Sequence, residues 1–275
     1  MQNGKTILIL VVASLFLYVS FKGCDDSSNR NQQSTNRVAK AKYEKTPVDI
    51  LIRDLSDEKN FSIILYDMDY KEGSNTYKHQ YQVLIEKPDS VYTKKTDWVT
   101  VSNIFFDANT ENMGMEIASK KDGVVKKAVA PAGYTNFVGN EKYGQWKERD
   151  GSRFWEYYGK YAFMSSMFRM AMFPIQYSYW DNYHSNYYHS GRSYYGPRSN
   201  GRNMYGTNSN YTKSNTKSTW NSKPTDFKSR VRSKVSRSAT ASKSRVTRST
   251  TSKRSRSSSR YSRSSSRSRG GGFGK

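Results

Sequence analysis

Residues 77–87 read YKHQYQVLIEK, and the spacing of their apolar side chains decides the fold. Tyr77, His79, Tyr81, Val83 and Ile85 take every second position, with Lys78, Gln80 and Gln82 between them. Successive side chains of an extended chain point to opposite faces, so a period of two marks a strand with one face against a core. Short apolar runs broken by turn residues recur around it: Phe61–Tyr66 (FSIILY), Trp98–Phe106 (WVTVSNIFF), Met113–Ser119 and Gly123–Val129. Lys121-Asp122-Gly123 separates the last two and has hairpin-turn chemistry, because glycine adopts positive φ at no steric cost. Pro47–Leu55 (PVDILIRDL) reads as a helix or leading strand packed on the sheet. The expectation is an α+β protein whose small antiparallel β-rich domain, of about five strands, occupies residues 43–149.

Asp67, Asp69 and Glu72 fall together in DMDYKE. Paired carboxylates suit acid–base or calcium chemistry. This run lacks the glycine and closing glutamate of a calcium loop, and no other ligand-bearing side chain is close in sequence. They read as solvated acids at a strand end.

The densest aromatic stretch is Tyr143–Phe173. With Ser152 as N-cap, Phe154, Tyr157, Tyr161, Met164, Phe168 and Met172 follow at steps of three or four, which predicts one aromatic, Met-rich helix over 150–175, stopped by Pro174. Trp155, Phe163, Met167 and Met170 lie off that stripe, so the helix is apolar nearly all round. Lys160 and Arg169 would each cost about 2.5–3.5 kcal/mol at the centre of a bilayer, which argues for a helix covering the sheet and against a membrane span. Residues 176–222 follow as a Tyr/Asn/Gly low-complexity segment. Nine tyrosines between Gln176 and Trp220, with few aliphatic residues, predict no core there. His184 and His189 with Asp181 form too small a donor set for a metal. No metal or other cofactor is expected.

Charge is concentrated at the carboxyl end. The 275 residues carry a formal net charge of +23 at a mean hydropathy of −0.91. Lys223 to Lys275 hold seventeen Lys or Arg against one acid, Asp226. Ser-Arg and Ser-Lys units repeat through this segment, which reads as a disordered Ser/Arg-rich basic tail over 223–275 that binds by charge and not by shape. The candidate polyanion-binding residues are Arg230, Arg232, Arg245, Arg248, Lys253, Arg254, Arg256, Arg260, Arg263, Arg267 and Arg269.

The amino end sets the compartment. Thr6–Phe21 is uncharged and apolar, longer than most signal-peptide cores and shorter than the roughly 20 residues of a spanning helix. Gly23-Cys24 follows where a bacterial lipoprotein signal is cut, although Phe21 and Lys22 depart from the usual residues before such a site. Cys24 is the candidate lipid-attachment residue, with 1–23 as signal peptide or membrane anchor and 24–42 as a polar tether. As the only cysteine of the chain, it allows no internal disulfide. The alternative is an uncleaved single-pass anchor. Lys22, Arg30, Arg37, Lys40 and Lys42 follow the apolar run and outnumber the cations before it, which would hold the downstream chain in the cytoplasm.

YGQW at 143–146, SRFWEYYGKYAF at 152–163 and SRGGGFGK at the end, in this order after a lipoprotein-like start, resemble uncharacterised bacterial envelope lipoproteins. The resemblance implies an envelope location and brings no activity with it. With no nucleophile elbow, phosphate loop or zinc signature in the chain, a non-enzymatic protein is expected. Its expected partners are the membrane, through the amino end, and an anionic lipid or cell-envelope polymer, through the tail. Nucleic acid is a partner only if the tail is cytosolic, and protein partners are not indicated.

Overall fold

The structure, a computed structural model, describes residues 45–251, with side chains as far as Thr240. Residues 1–44, including Cys24 and the expected membrane segment, and residues 252–275 of the expected tail lie outside it.

The chain enters through helix α1 (Pro47–Asp54), started by a reciprocal capping box between Thr46 and Asp49 with Pro47 in its first turn. Burial alone would raise the Asp49 carboxyl, but bonds from Lys127 and Thr46 outweigh it and hold the group at about 2. Strands β1 (Phe61–Lys71) and β2 (Thr76–Glu86) then form a long antiparallel hairpin. β3 (Val91–Lys95) and β4 (Val99–Val101) both pair with β2. Helix α2 (Asn103–Asn109), capped by the Ser102 hydroxyl, leads to β5 (Met115–Lys121) beside β1, and β6 (Val124–Lys126) and β7 (Ala130–Pro131) pair with β5. The result is a seven-stranded antiparallel sheet with the order β3-β2-β1-β5-β6, β4 beside β2 and β7 beside β5.

Both faces of this sheet are covered. The alternation of residues 77–87 is realised in β2, where Tyr77, His79, Tyr81, Val83 and Ile85 are buried. Tyr77, Tyr81, Val83 and Ile85 join Phe61, Ile63, Leu65, Met68 and Tyr70 of β1 in the first core. A bulge between Leu65 and Asp67 makes Tyr66 the extra residue of β1 and returns Met68 and Tyr70 to the side of Leu65. Ile64, Leu84 and Met115 point the other way and begin a second core.

The second core is built mostly by residues 129–211, and half of its buried side chains are aromatic. Here the sequence expectation is corrected. Residues 150–175 are not one helix: Gly144–Arg149 (β8) and Ser152–Tyr157 (β9) form a hairpin, followed by a 3₁₀ turn at Gly159–Tyr161 and the short helix α3 (Phe163–Met167). Asp150 and Gly151 both have positive φ, 52° and 71°, the geometry of a two-residue hairpin turn. Ser152 therefore begins a strand instead of capping a helix.

Residues 176–222 also pack. Helix α4 (Tyr177–Tyr183) runs into a π-helical turn at His184–Tyr188, and a two-residue hairpin pairs β10 (Arg198–Ser199) with β11 (Arg202–Asn203). Helices α5 (Asn210–Lys213) and α6 (Thr219–Ser222) follow. Tyr183, Tyr194, Tyr205, Tyr211 and Trp220 are all buried. An aromatic side chain buries about 150–250 Å², so a segment poor in aliphatic residues still supplies a core.

The basic segment departs from expectation as well, since residues Thr225–Thr251 form a 27-residue helix, α7. Val231 and Val235 of α7 belong to the first core, Phe227 packs against it, and Ala239 is fully buried. The spacing of four among these residues is the helical period.

Candidate polyanion interface

The basic segment is seated by the acids that the sequence placed at a strand end. Asp67 is 2% exposed and receives hydrogen bonds from the Ser218 hydroxyl at 2.8 Å and from the backbone N–H groups of Thr219 at 2.6 Å and Trp220 at 3.2 Å. It thereby satisfies the orphan donors at the start of α6 from a strand far away in sequence. Asp69 pairs with Lys223 at 3.3 Å. Two of the three carboxylates expected to be solvated, Asp67 and Asp69, are the clasp that fixes the entry to α7, while Glu72 is exposed.

With Val231, Val235 and Ala239 turned into the protein, the opposite side of α7 carries charge. Arg230, Lys234 and Arg237 are exposed. The Lys234 ammonium donates to the Tyr70 hydroxyl, and this bond raises its pKa further above the usual lysine range. Tyr70, Glu72, Phe227, Arg230, Lys234 and Arg237 line an open groove of about 580 Å³ along this side.

The expected site residues separate into three groups. Arg230 is presented to solvent. Arg232 is half-buried and committed, its guanidinium 3.3 Å from Glu111 and 3.2 Å from the Asn208 side-chain oxygen. Arg245 and Arg248 lie further along α7. Lys253, Arg254, Arg256, Arg260, Arg263, Arg267 and Arg269 lie outside the described residues, as does Cys24. Lys234 and Arg237 were not singled out from sequence. The signal that finds them is the four-residue apolar spacing, which assigns outward positions once α7 is recognised.

His184 and His189 are absorbed by packing. The His184 ring stacks on Trp180 at 5.0 Å and on Tyr188 at 5.6 Å, and His189 meets it edge-on at 5.5 Å. Among the described residues no helix is long and apolar enough to cross a membrane. The fold and site together define an α+β protein with a sheet covered on both faces and a docked basic helix. No family model, curated protein or solved structure matches the chain.

Proposed function

We propose that this is a membrane-anchored, non-enzymatic protein of the bacterial envelope, a lipoprotein through Cys24, whose basic carboxyl end engages anionic envelope polymers or lipids. The observation that carries the reading is the shared core of the two ends of the folded body. Val48 of α1 and Val231 and Val235 of α7 pack into one hydrophobic cluster, so the segment leading from the amino end and the one leading to the basic end are tied to the same face of the sheet. An anchor at Cys24 would then hold the cations beside the surface to which the chain is attached. Each basic residue near an anionic membrane contributes about 1 kcal/mol, and several together make an attraction that salt screens.

Two measurements test this. The intact mass of membrane-extracted protein should show loss of residues 1–23 and added acyl mass, and Cys24→Ser should abolish both. An unshortened chain would reject the lipoprotein and leave the single-pass alternative, in which a cytosolic tail meets nucleic acid and which the excess of cations after Phe21 favours. Binding to anionic vesicles should weaken steeply with salt and fall at least tenfold when residues 252–275 are removed, because seven of the proposed cations go with them. Unchanged binding would place the contact elsewhere.

A further inference from the structure

At the point where α5 meets the first turns of α7, the surface encloses a cavity of about 150 Å³. Lys213, Lys228 and Arg232 line it together with Asn208, Thr225 and Ser229. Three cations converge on a space that holds no acid. Glu111, the carboxylate that pairs with Arg232 at 3.3 Å, is also bound by the Asn208 amide at 2.9 Å, and among the described residues neither lysine has an ion-pair partner. Two donor groups have capacity to spare. Arg232 Nε is buried with no acceptor, and the Lys228 ammonium spends one hydrogen on the Asn221 carbonyl at 3.2 Å and has two more. Burial first, and then the charges of Lys213 and Arg232, push Lys228 towards its neutral form. An anion placed here would reverse that cost.

We propose that this cavity seats one phosphoryl group. The size argues for a single charged group, since pockets for whole small molecules run about 300–1,000 Å³. The donors are those that suit phosphate oxygens: two ammonium groups, a guanidinium, and the Thr225 hydroxyl at the start of a long helix, where free N–H groups add positive potential; the Ser229 hydroxyl is spent on the Thr225 and Asp226 carbonyls. Asp226, the acid of that turn, does not line the cavity. Through Asn208 the cavity adjoins a cleft of about 400 Å³ bearing Arg198 and Arg202, which gives the remainder of a larger phosphorylated molecule a place to lie. The site belongs to the folded body and stands whether or not residues 252–275 bind a polymer.

The test is calorimetric titration of the full chain with inorganic phosphate, compared between Lys213→Ala/Lys228→Ala and a control, Lys45→Ala/Lys94→Ala, that removes the same charge from exposed lysines elsewhere. Circular dichroism checks that each variant is folded. The pocket variant should bind phosphate at least tenfold more weakly, as expected for loss of two charge-assisted contacts, while the control stays within about twofold of the parent. Equal weakening in both variants, or no saturable binding by the parent, overturns the proposal. Vesicles of phosphatidylcholine doped with phosphatidic acid identify the source. Binding lost in the pocket variant assigns the phosphoryl group to a lipid headgroup, whereas unchanged vesicle binding alongside weakened phosphate binding assigns it to a soluble phosphorylated molecule. Removal of residues 252–275 should leave the phosphate site intact, which separates its failure from failure of the envelope-binding reading.

Discussion

Two ionisable side chains are sealed into opposite faces of the sheet, and their effects on stability run in opposite directions with pH. Burial pushes the Glu116 carboxyl up from 4.5 to about 7, a rise that nearby Thr135, Ser62, Ser119 and the Gly133 N–H only partly offset. No group closes a regular hydrogen bond on either of its oxygens. Burial also takes His79 down from 6.5 to about 3, leaving a neutral imidazole 3.1 Å from the Tyr81 hydroxyl. The folded state holds the Glu116 proton more tightly than the unfolded chain does, so its contribution is complete below pH 4.5 and is lost as pH rises through about 7. For His79 the folded state resists protonation, so its contribution is complete above 6.5 and is lost as pH falls towards about 3. Urea denaturation should therefore show a broad maximum between about pH 4.5 and 6.5. Glu116→Gln should flatten the alkaline limb and stabilise the protein at pH 8 by about 3 kcal/mol, at 1.36 kcal/mol per pKa unit; a persisting alkaline limb would show that another group causes it. At Asp67, alanine strips the acceptor from four donors, the Ser218 hydroxyl and the N–H groups of Met68, Thr219 and Trp220, each worth about 1–3 kcal/mol when left buried and unpaired. Asp67→Ala should lower the unfolding free energy by at least about 3 kcal/mol. His79 was legible because strand alternation is local. Asp67 was not, because the partners that give it its role lie 151 to 153 residues further along the chain.

Among the elements, turns explain both what was read and what was misread. Asp122-Gly123 was recognised as a hairpin turn and has φ values of 49° and 83°. Asp150-Gly151 is the same device, yet the aromatics of 154–172 also fit steps of three and four, and that longer pattern hid the two-residue signal. Glycine is required in these turns for its backbone, whereas Gly139, at φ 75°, is required for its backbone and for space as well. A Cβ on Gly151 would meet nothing within 4 Å, but one on Gly139 would lie 2.3 Å from the Trp180 ring. Gly151→Ala should cost about 1 kcal/mol, and Gly139→Ala should cost about 3 kcal/mol or more. Equal losses in thermal unfolding would contradict this distinction. For α7 the signal was present but sparse: four apolar residues spaced by four among Ser, Lys and Arg, in a composition typical of unfolded chains. Tertiary packing, not composition, makes that stretch a helix.

For the molecule as a whole, the sheet has two cores, and the basic segment completes one of them. Truncation after Ser222 would uncover the first core by removing Phe227, Val231, Val235 and Ala239, whereas truncation after Thr251 leaves the core side chains in place. The longer deletion should abolish cooperative unfolding, and the shorter one should leave the melting temperature within a few degrees of the parent. If both melted alike, α7 would not be part of the stable body. A basic, Ser-rich composition conceals this structural role, because two valines and an alanine among charges carry little weight in any average over the segment.

The docking of α7 also sets an order of events during synthesis. Chains are made from the amino end, and the side chains of α7 that close the first core are made after every strand of the sheet. Until they arrive, a nascent polypeptide displays one bare greasy surface of a finished sheet, with a chaperone-binding and aggregation risk that lasts from the making of Pro131 to the docking of α7.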